Sequence, residues 1–399
     1  MVQRLSLTQL FPGPIKTSSG LYIHIPFCKQ ACHYCNFHFS TKRQLQPEMI
    51  ACIGQEIYLR RHYLEAVPIS SIYFGGGTPS LLAFTEIDHL LTQVFRYCTV
   101  ATAVEITLEA NPDDLTLEKL KGLHQLGINR LSIGVQSFND KVLQYMHRAH
   151  NSVMAQKSIE WARSAQFSNL SIDLIYAIPG TTTEDWQRDL AQAFLLAPEH
   201  ISAYYLAIEP KTVWEYQRKK GKLLPISEAI AAEQFAWTIE TCQQEGYFQY
   251  EIANFGRPGK FSRHNINYWC SRPYLGVGPA AHSYKGWYRQ ANIAQNIKYM
   301  QAIQQGHLPY TEERLSVANR VNEYIMTTIR TCWGCDLDWV ARQYGVSLLA
   351  IRKDYITSIV QEGLAHYVDH KLYLTNRGKR FATKIAGDLF ILDTAEANA

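Results

Sequence analysis

Short apolar, β-branched stretches recur along the first half of the chain at 21–25, 71–74, 104–108, 130–135, 170–176 and 201–206. Segments with helical spacing separate them, and such alternation predicts βα units and a parallel sheet. One helix is clear over 116–126, where Leu117, Leu120, Leu123 and Leu126 recur every three residues and Gly127 supplies a stop. Its apolar stripe is expected to pack outside the sheet. Polar or glycine-bearing segments fall just after the strands: Cys28 to Cys35 after the first, Gly75-Gly76-Gly77-Thr78-Pro79 after the second and Glu109 to Pro112 after the third. Gln136-Ser137 follows the fourth strand and Pro179-Gly180 the fifth. In a βα barrel the C-terminal strand ends converge on one mouth, where reactive groups collect. The pattern therefore predicts an α/β fold, a partial (β/α)6 barrel with its site at that mouth.

Beyond about residue 310 the pattern turns helical, at 319–330, 337–343 and 348–362. A turn-rich stretch, 363–375, suits a β-hairpin before a last helix from Arg377. The expected organisation is a barrel domain over 1–290, a linker at 291–310 and a smaller helical, winged-helix-like domain over 311–399. A chain of 399 residues agrees with two domains. Hydrophobic residues at 47% and charged residues at 19% exclude a disordered chain. A net charge of +4, spread along the sequence, gives no reason to invoke nucleic acid, even with a winged-helix-like domain. No window reaches the roughly 18–20 uninterrupted apolar residues of a membrane span, and the first residues lack a long apolar run, so a cytoplasmic protein is expected.

Nine cysteines is an odd number, and their clustering points to metal chemistry rather than to a disulfide framework. Cys28, Cys32 and Cys35 stand as Cys-x3-Cys-x2-Cys after the first strand. Three thiolates so spaced suit one [4Fe-4S] cluster, with a fourth iron left open. A structural zinc site with His33 or His38 as fourth ligand is the other reading; the glycine run after the second strand favours the cluster.

This arrangement resembles the radical S-adenosylmethionine (SAM) superfamily. The resemblance implies that the amino and carboxylate groups of SAM chelate the open iron, and that electron transfer breaks the sulfonium bond to give a 5′-deoxyadenosyl radical. It also implies that Gly76, Gly77 and Thr78 present backbone to the SAM amino group. Glu109 would face the ribose or the sulfonium charge. Tyr22, Tyr34, Gln136, Arg148, Asp173 and Ala207 match further SAM-contact positions.

From about residue 21 to the C-terminal domain the chain is similar to the oxygen-independent coproporphyrinogen III oxidase family, through its HIPFC, GGGTP, LEANP, GVQSF and IPG segments. Two departures favour that family's haem-chaperone branch. Phe37 stands where the dehydrogenases continue to a fourth cysteine, and only 27 residues precede Cys28 where they carry a longer segment. The segment His264-Asn-Ile-Asn-Tyr268-Trp269 looks like the HNxxYW element of that branch, which implies that His264 takes part in haem binding, with the two aromatics covering the macrocycle. The resemblance thus implies haem as a third bound group, an acceptor protein that receives it, an electron donor, and peripheral membrane association through the acceptor. The alternative is an enzyme, oxidatively decarboxylating coproporphyrinogen III to protoporphyrinogen IX. Cys332-Trp-Gly-Cys335 has the form of a redox motif but lacks a thioredoxin-like βαβ setting, and reads as ordinary thiols.

Overall fold

A computed structural model describes residues 18–65 and 67–392. Its centre is a run of parallel strands in sequence order: β1 (Ser19–Ile25), β2 (Ile69–Gly76), β3 (Val100–Ala110), β4 (Arg130–Gln136), β5 (Leu170–Tyr176) and β6 (His200–Tyr205). These are the six expected strands; the first four extend beyond the expected bounds, β5 coincides with them and β6 begins and ends one residue earlier. On the far side of β6 lie the antiparallel β8 (Asn254–Gly256) and then β7 (Phe248–Glu251). Beside β1 the structure adds a seventh parallel strand, β9 (Tyr274–Val277). Antiparallel β10 (His282–Lys285), β11 (Tyr288–Asn292) and β12 (Tyr310–Arg314) extend the sheet beyond it. Four-residue β9 contains Gly276 and carries too little periodicity to be read as a strand.

Most of the strands alternate in chemistry, with Leu174-Ile175-Tyr176 at the end of β5 an exception. Leu21, Ile23, Ile25, Ile72, Phe74, Leu131 and Ile133 are buried in the core shared with the crossover helices. The helix Phe84–Tyr97 meets it with Ile87, Leu90, Leu91 and Val94, one face at helical spacing. The helix expected over 116–126 forms as Leu117–Gln125; Thr116 caps it by accepting from the Lys119 amide at 3.1 Å, and Gly127 ends it at φ +90°.

The opposite side chains are polar and contact one another across the barrel interior. Tyr22 stacks on Tyr73, the Tyr73 hydroxyl donates to Glu109 at 2.8 Å, Ser132 donates to Asp173, and Ser171 lies 2.8 Å from His200 Nδ1. A barrel interior is usually filled by branched apolar side chains. This one is a polar shaft leading to the strand ends.

Residues 291–310, expected as a linker, are ordered structure: the helix Asn296–Gln304 buries Tyr299, Met300 and Ile303 in the barrel core, and β12 closes one sheet edge. After it, the helix Val317–Thr328 begins a second core that includes Val321, Ile325, Leu337, Val340, Ile356, Leu372 and Ile385. The order there is helix, β13 (Cys335–Asp336), helices Leu337–Tyr344, Leu348–Ile351 and Lys353–Gln361, then the hairpin β14 (Ala365–Val368) and β15 (Lys371–Leu374). Helices Asn376–Lys379 and Ala382–Leu389 follow. This is the helix-and-wing succession expected from the sequence. No helix among the described residues is long and apolar enough to cross a membrane.

Candidate functional site

The C-terminal ends of the parallel strands surround a cavity of about 530 Å³. Cys28, Cys32, Cys35, Tyr34, Gly76, Gly77, Thr78, Glu109, Gln136, Arg148, Asp173 and Ala207 all line it. They come from the loop after β1, from β2 to β6 and the turns that follow them, and, for Arg148, from the connection between two helices after β4.

The cysteine loop is held from several sides. The Cys28 amide donates to Ser40 O at 3.0 Å, the His33 amide to Met146 O at 3.2 Å, and Gln30 Nε2 to His147 O at 2.8 Å. Lys29 pairs with Asp113 at 2.7 Å, tying the loop to the turn after β3. Two donors reach the sulfurs: Thr78 Oγ1 lies 3.4 Å from Cys28 Sγ, and Arg148 Nη1 lies 3.3 Å from Cys32 Sγ. Arg148 is fixed by Asn111 Oδ1 at 2.6 Å and Gly134 O at 2.9 Å. Burial pushes the Cys28 thiol up to about 11 and raises Cys35. Metal binding there must displace protons, and the nearby guanidinium favours the thiolate form.

No three His, Cys, Asp or Glu side chains among the described residues converge as a single-ion site requires. Thiolates of a cubane each bind a different iron and need not converge, so the donor set fits a cluster. The cavity beside it offers room and polar groups suited to a nucleoside.

Glu109 stands in the cavity wall and accepts from Tyr73 on Oε1 and from the Gly76 amide on Oε2 at 3.2 Å. Burial, with the charge of Asp173 adding to it, raises its pKa to about 7. It forms no ion pair among the described residues, so a bound cation such as a sulfonium would meet an acceptor lacking a counter-charge. The glycines have a second duty beyond admitting a ligand. A Cβ on Gly77 would lie 2.6 Å from Phe27 O, and one on Gly76, at φ +110°, 2.6 Å from the His24 ring. The GGT turn is thus packed against the cysteine loop itself.

Two expected residues lie elsewhere. Tyr22 is below the cavity in the shaft, with its hydroxyl 3.2 Å from His24 Nδ1. His264 is 1% exposed, at the opposite end of the barrel. It belongs to the helix Arg263–Trp269, which plugs the base: its Nδ1 lies 2.9 Å from Ser71 Oγ and its Nε2 2.9 Å from Tyr268 OH, while its ring stacks on Tyr73 at 4.8 Å. Glu105 accepts the amides of Arg263 and His264, each at 3.2 Å. Burial lowers the imidazole pKa to about 3, so it is neutral. With both ring nitrogens engaged, His264 does not fit an axial iron ligand here.

Sequence reasoning missed Asn111, Ser132, Gly134 and Tyr204 in the cavity wall. Asn111 lay in plain view in the LEANP segment, and Tyr204 at the sixth strand end. Cys335 is buried and Cys332 half-buried, with burial pushing both thiols up to about 12, in keeping with ordinary thiols.

Residues 22–193 match the profile of the Radical SAM superfamily. Over 369 residues the chain is 34% identical to the heme chaperone HemW of Bacillus subtilis, covering 92% of this chain and 97% of that one. It is 35% identical over 333 residues to the heme chaperone HemW of Synechocystis, covering 81% and 80%. Among solved structures, the Escherichia coli coproporphyrinogen III oxidase HemN, a radical SAM enzyme, superposes with a TM-score of 0.79 at 25% identity, covering 96% of this chain and 92% of that one.

Proposed function

Because the chain belongs to the HemW family of radical SAM proteins, we propose that it binds haem and hands it to an acceptor protein, with a SAM-binding [4Fe-4S] cluster held by Cys28, Cys32 and Cys35. The observation that carries this reading is the end-to-end similarity to HemW proteins, which includes the C-terminal domain as well as the barrel.

A cluster, when bound, would be held by Cys28, Cys32 and Cys35 and would supply one-electron chemistry towards SAM. The protein's own part is positioning. Arg148 and Thr78 orient the thiolates, the GGT turn sets the loop's distance from β2, and Glu109 presents a carboxylate where the sulfonium charge would lie. Asp173, held by Ser132, and Gln136 offer acceptors and donors to a ribose or base. Phe37, at 69% exposure on the cavity rim, provides no further thiolate. The acceptor, the electron donor and any membrane association through the acceptor belong to the same proposal, as does a cytoplasmic location.

The test is anaerobic reconstitution with iron and sulfide, followed by haem titration, transfer to a haem-free b-type haemoprotein, and a parallel assay with coproporphyrinogen III. Haem uptake with a Soret shift and recovery of the acceptor's spectrum are expected. Turnover of coproporphyrinogen III to protoporphyrinogen IX would establish the enzyme alternative instead. Loss of the [4Fe-4S] signal in Cys32→Ala is expected; its survival would remove the cluster assignment.

A further inference from the structure

A short helix outside the strand-end cavity rests on the cysteine loop. At its start, in the helix Val213–Lys219, the Trp214 amide donates to His33 O at 3.1 Å. The fully buried Trp214 indole is the contact beneath it, 5.9 Å from the Tyr34 ring and 5.2 Å from the Tyr145 ring. Tyr216, two residues on, is 58% exposed, and Lys220 lies over its ring at 4.3 Å. Beside the helix Tyr145 is 40% exposed, and the His33 and His147 rings stack at 4.8 Å with 5° between their planes. The outer side of the cysteine loop is therefore edged by flat aromatic groups.

The same segment carries the charge of the molecule. Over 211–222 five basic residues, Lys211, Arg218, Lys219, Lys220 and Lys222, stand with one carboxylate, Glu215. That net +4 equals the net charge of the whole chain, so the remaining residues are neutral in sum. Glu215 pairs with Lys219 at 2.8 Å and also feels Arg218, yet one carboxylate cannot balance five exposed cations. A positive field concentrated on one surface steers an acidic partner, and flat aromatic groups beside it seat a planar one.

Resting on the cluster assignment, we propose that the 211–222 segment, with Tyr145 and the His33–His147 pair, is the docking surface for a small acidic flavoprotein that serves as the electron donor. Its acidic rim meets the lysines, and its flavin edge lies toward the stacked imidazoles. His33 stands between Cys32 and Cys35, so a group seated on its ring is separated from two of the thiolates by one or two residues of chain. In each encounter the reduced flavin gives up one electron and the cluster takes it up, with no bond made or broken in this chain. A small surface held by charge suits a carrier that must leave afterwards.

The experiment titrates reconstituted full-length protein with purified oxidised flavodoxin by calorimetry, for wild type and for Lys220→Glu/Lys222→Glu. Both positions are exposed, and cluster content is the folding control. At about 20 mM salt the variant is expected to bind about tenfold more weakly, and at about 0.5 M salt screening should bring the two proteins together. Cluster reduction by photoreduced flavodoxin should slow in the variant, while reduction by dithionite, which needs no docking, should proceed alike in both. An affinity changed by less than about threefold at low salt would overturn the proposal, as would a wild type that does not bind flavodoxin. Tighter binding of an acidic ferredoxin, or a variant that keeps flavodoxin and loses only phosphatidylglycerol vesicles, would overturn it too, by assigning the surface to another partner. Absence of a [4Fe-4S] signal in the reconstituted wild type would instead remove the cluster assignment on which this proposal stands.

Discussion

His264 of the 263–269 helix and Ser71 of β2 meet at 2.9 Å inside the base of the barrel, one contact of a plug that joins β1, β2 and β3 beneath the polar shaft. The imidazole also reaches Tyr268, so its removal leaves Ser71 and Tyr268 each short of a buried partner and opens a void. His264→Ala is expected to lose about 2–4 kcal/mol of stability, read as a lower urea midpoint, while haem bound per chain stays at the wild-type value. A variant that kept its stability and lost its Soret band would make the imidazole a ligand.

Arg148 bridges Cys32 and Asn111, linking the cysteine loop to the segment after β3. Replacing it by alanine strands Asn111 Oδ1 and Gly134 O and removes the positive charge beside the thiolates. We expect Arg148→Ala to bind less iron and sulfide on anaerobic reconstitution and to bind SAM about tenfold or more weakly, the loss typical of charge-assisted hydrogen bonds. Arg148→Lys should restore the charge without the fork, and recover only part of the loss. Full cluster occupancy and SAM affinity in the alanine variant would contradict this.

Glu109 carries a pH dependence. Its folded pKa, raised to about 7 by burial, lies above the ordinary carboxylate value, so between the two the unfolded chain has lost a proton that the folded protein keeps. Stability from this group is present below pH 4 to 5 and declines as pH rises towards 7. Relative to Glu109→Gln, the wild type should lose on the order of 2–3 kcal/mol across that window, measurable as converging and then crossing urea midpoints. A bound sulfonium reverses the preference, since it favours the carboxylate; SAM affinity should rise from pH 6 to 8 in the wild type and stay flat in Glu109→Gln. Parallel profiles for the two proteins would show that the carboxylate does not titrate in this range.

Glu56 is fully buried and accepts from the Gly278 amide, Asn292, Tyr299 and Arg60, tying β9, β11 and the helix Asn296–Gln304 to the helix Gln46–Leu59. Glu56→Ala strands four donors, among them the Arg60 guanidinium, and should cost about 3–5 kcal/mol. Glu56→Gln keeps acceptor capacity but loses the charge, and should cost less. Equal unfolding midpoints for the two variants would argue against a role for the charge.

Much of the architecture was legible because the strands and helices differ in period. The six strands appear where β-branched runs were seen, and the leucine-spaced helix ends at its glycine. The wing hairpin falls inside the turn-rich stretch. What escaped was β9, too short to show a period, and the helix at Asn296–Gln304, whose Tyr299 and Met300 are core residues in a stretch that reads as polar linker. Its burial depends on Glu56 and the core beneath it, partners more than 200 residues away.

The sequence by itself determined the chemistry at the barrel mouth: the cysteine spacing, the glycine turn, Glu109 and Asp173 on strands, and Arg148 in the segment after β4. Parallel βα topology sends every strand end to the same face, so local position in each unit already implied convergence. The tertiary structure decided the fate of His264. The hexad around it reads as a haem-binding element by resemblance, yet one short helix can face either way. Only the packing of that helix against Ser71, Tyr73 and Glu105 turned the imidazole inward, and only the fold placed Arg218 beside Ala177 and Ile226 to form a recess that no local pattern announces.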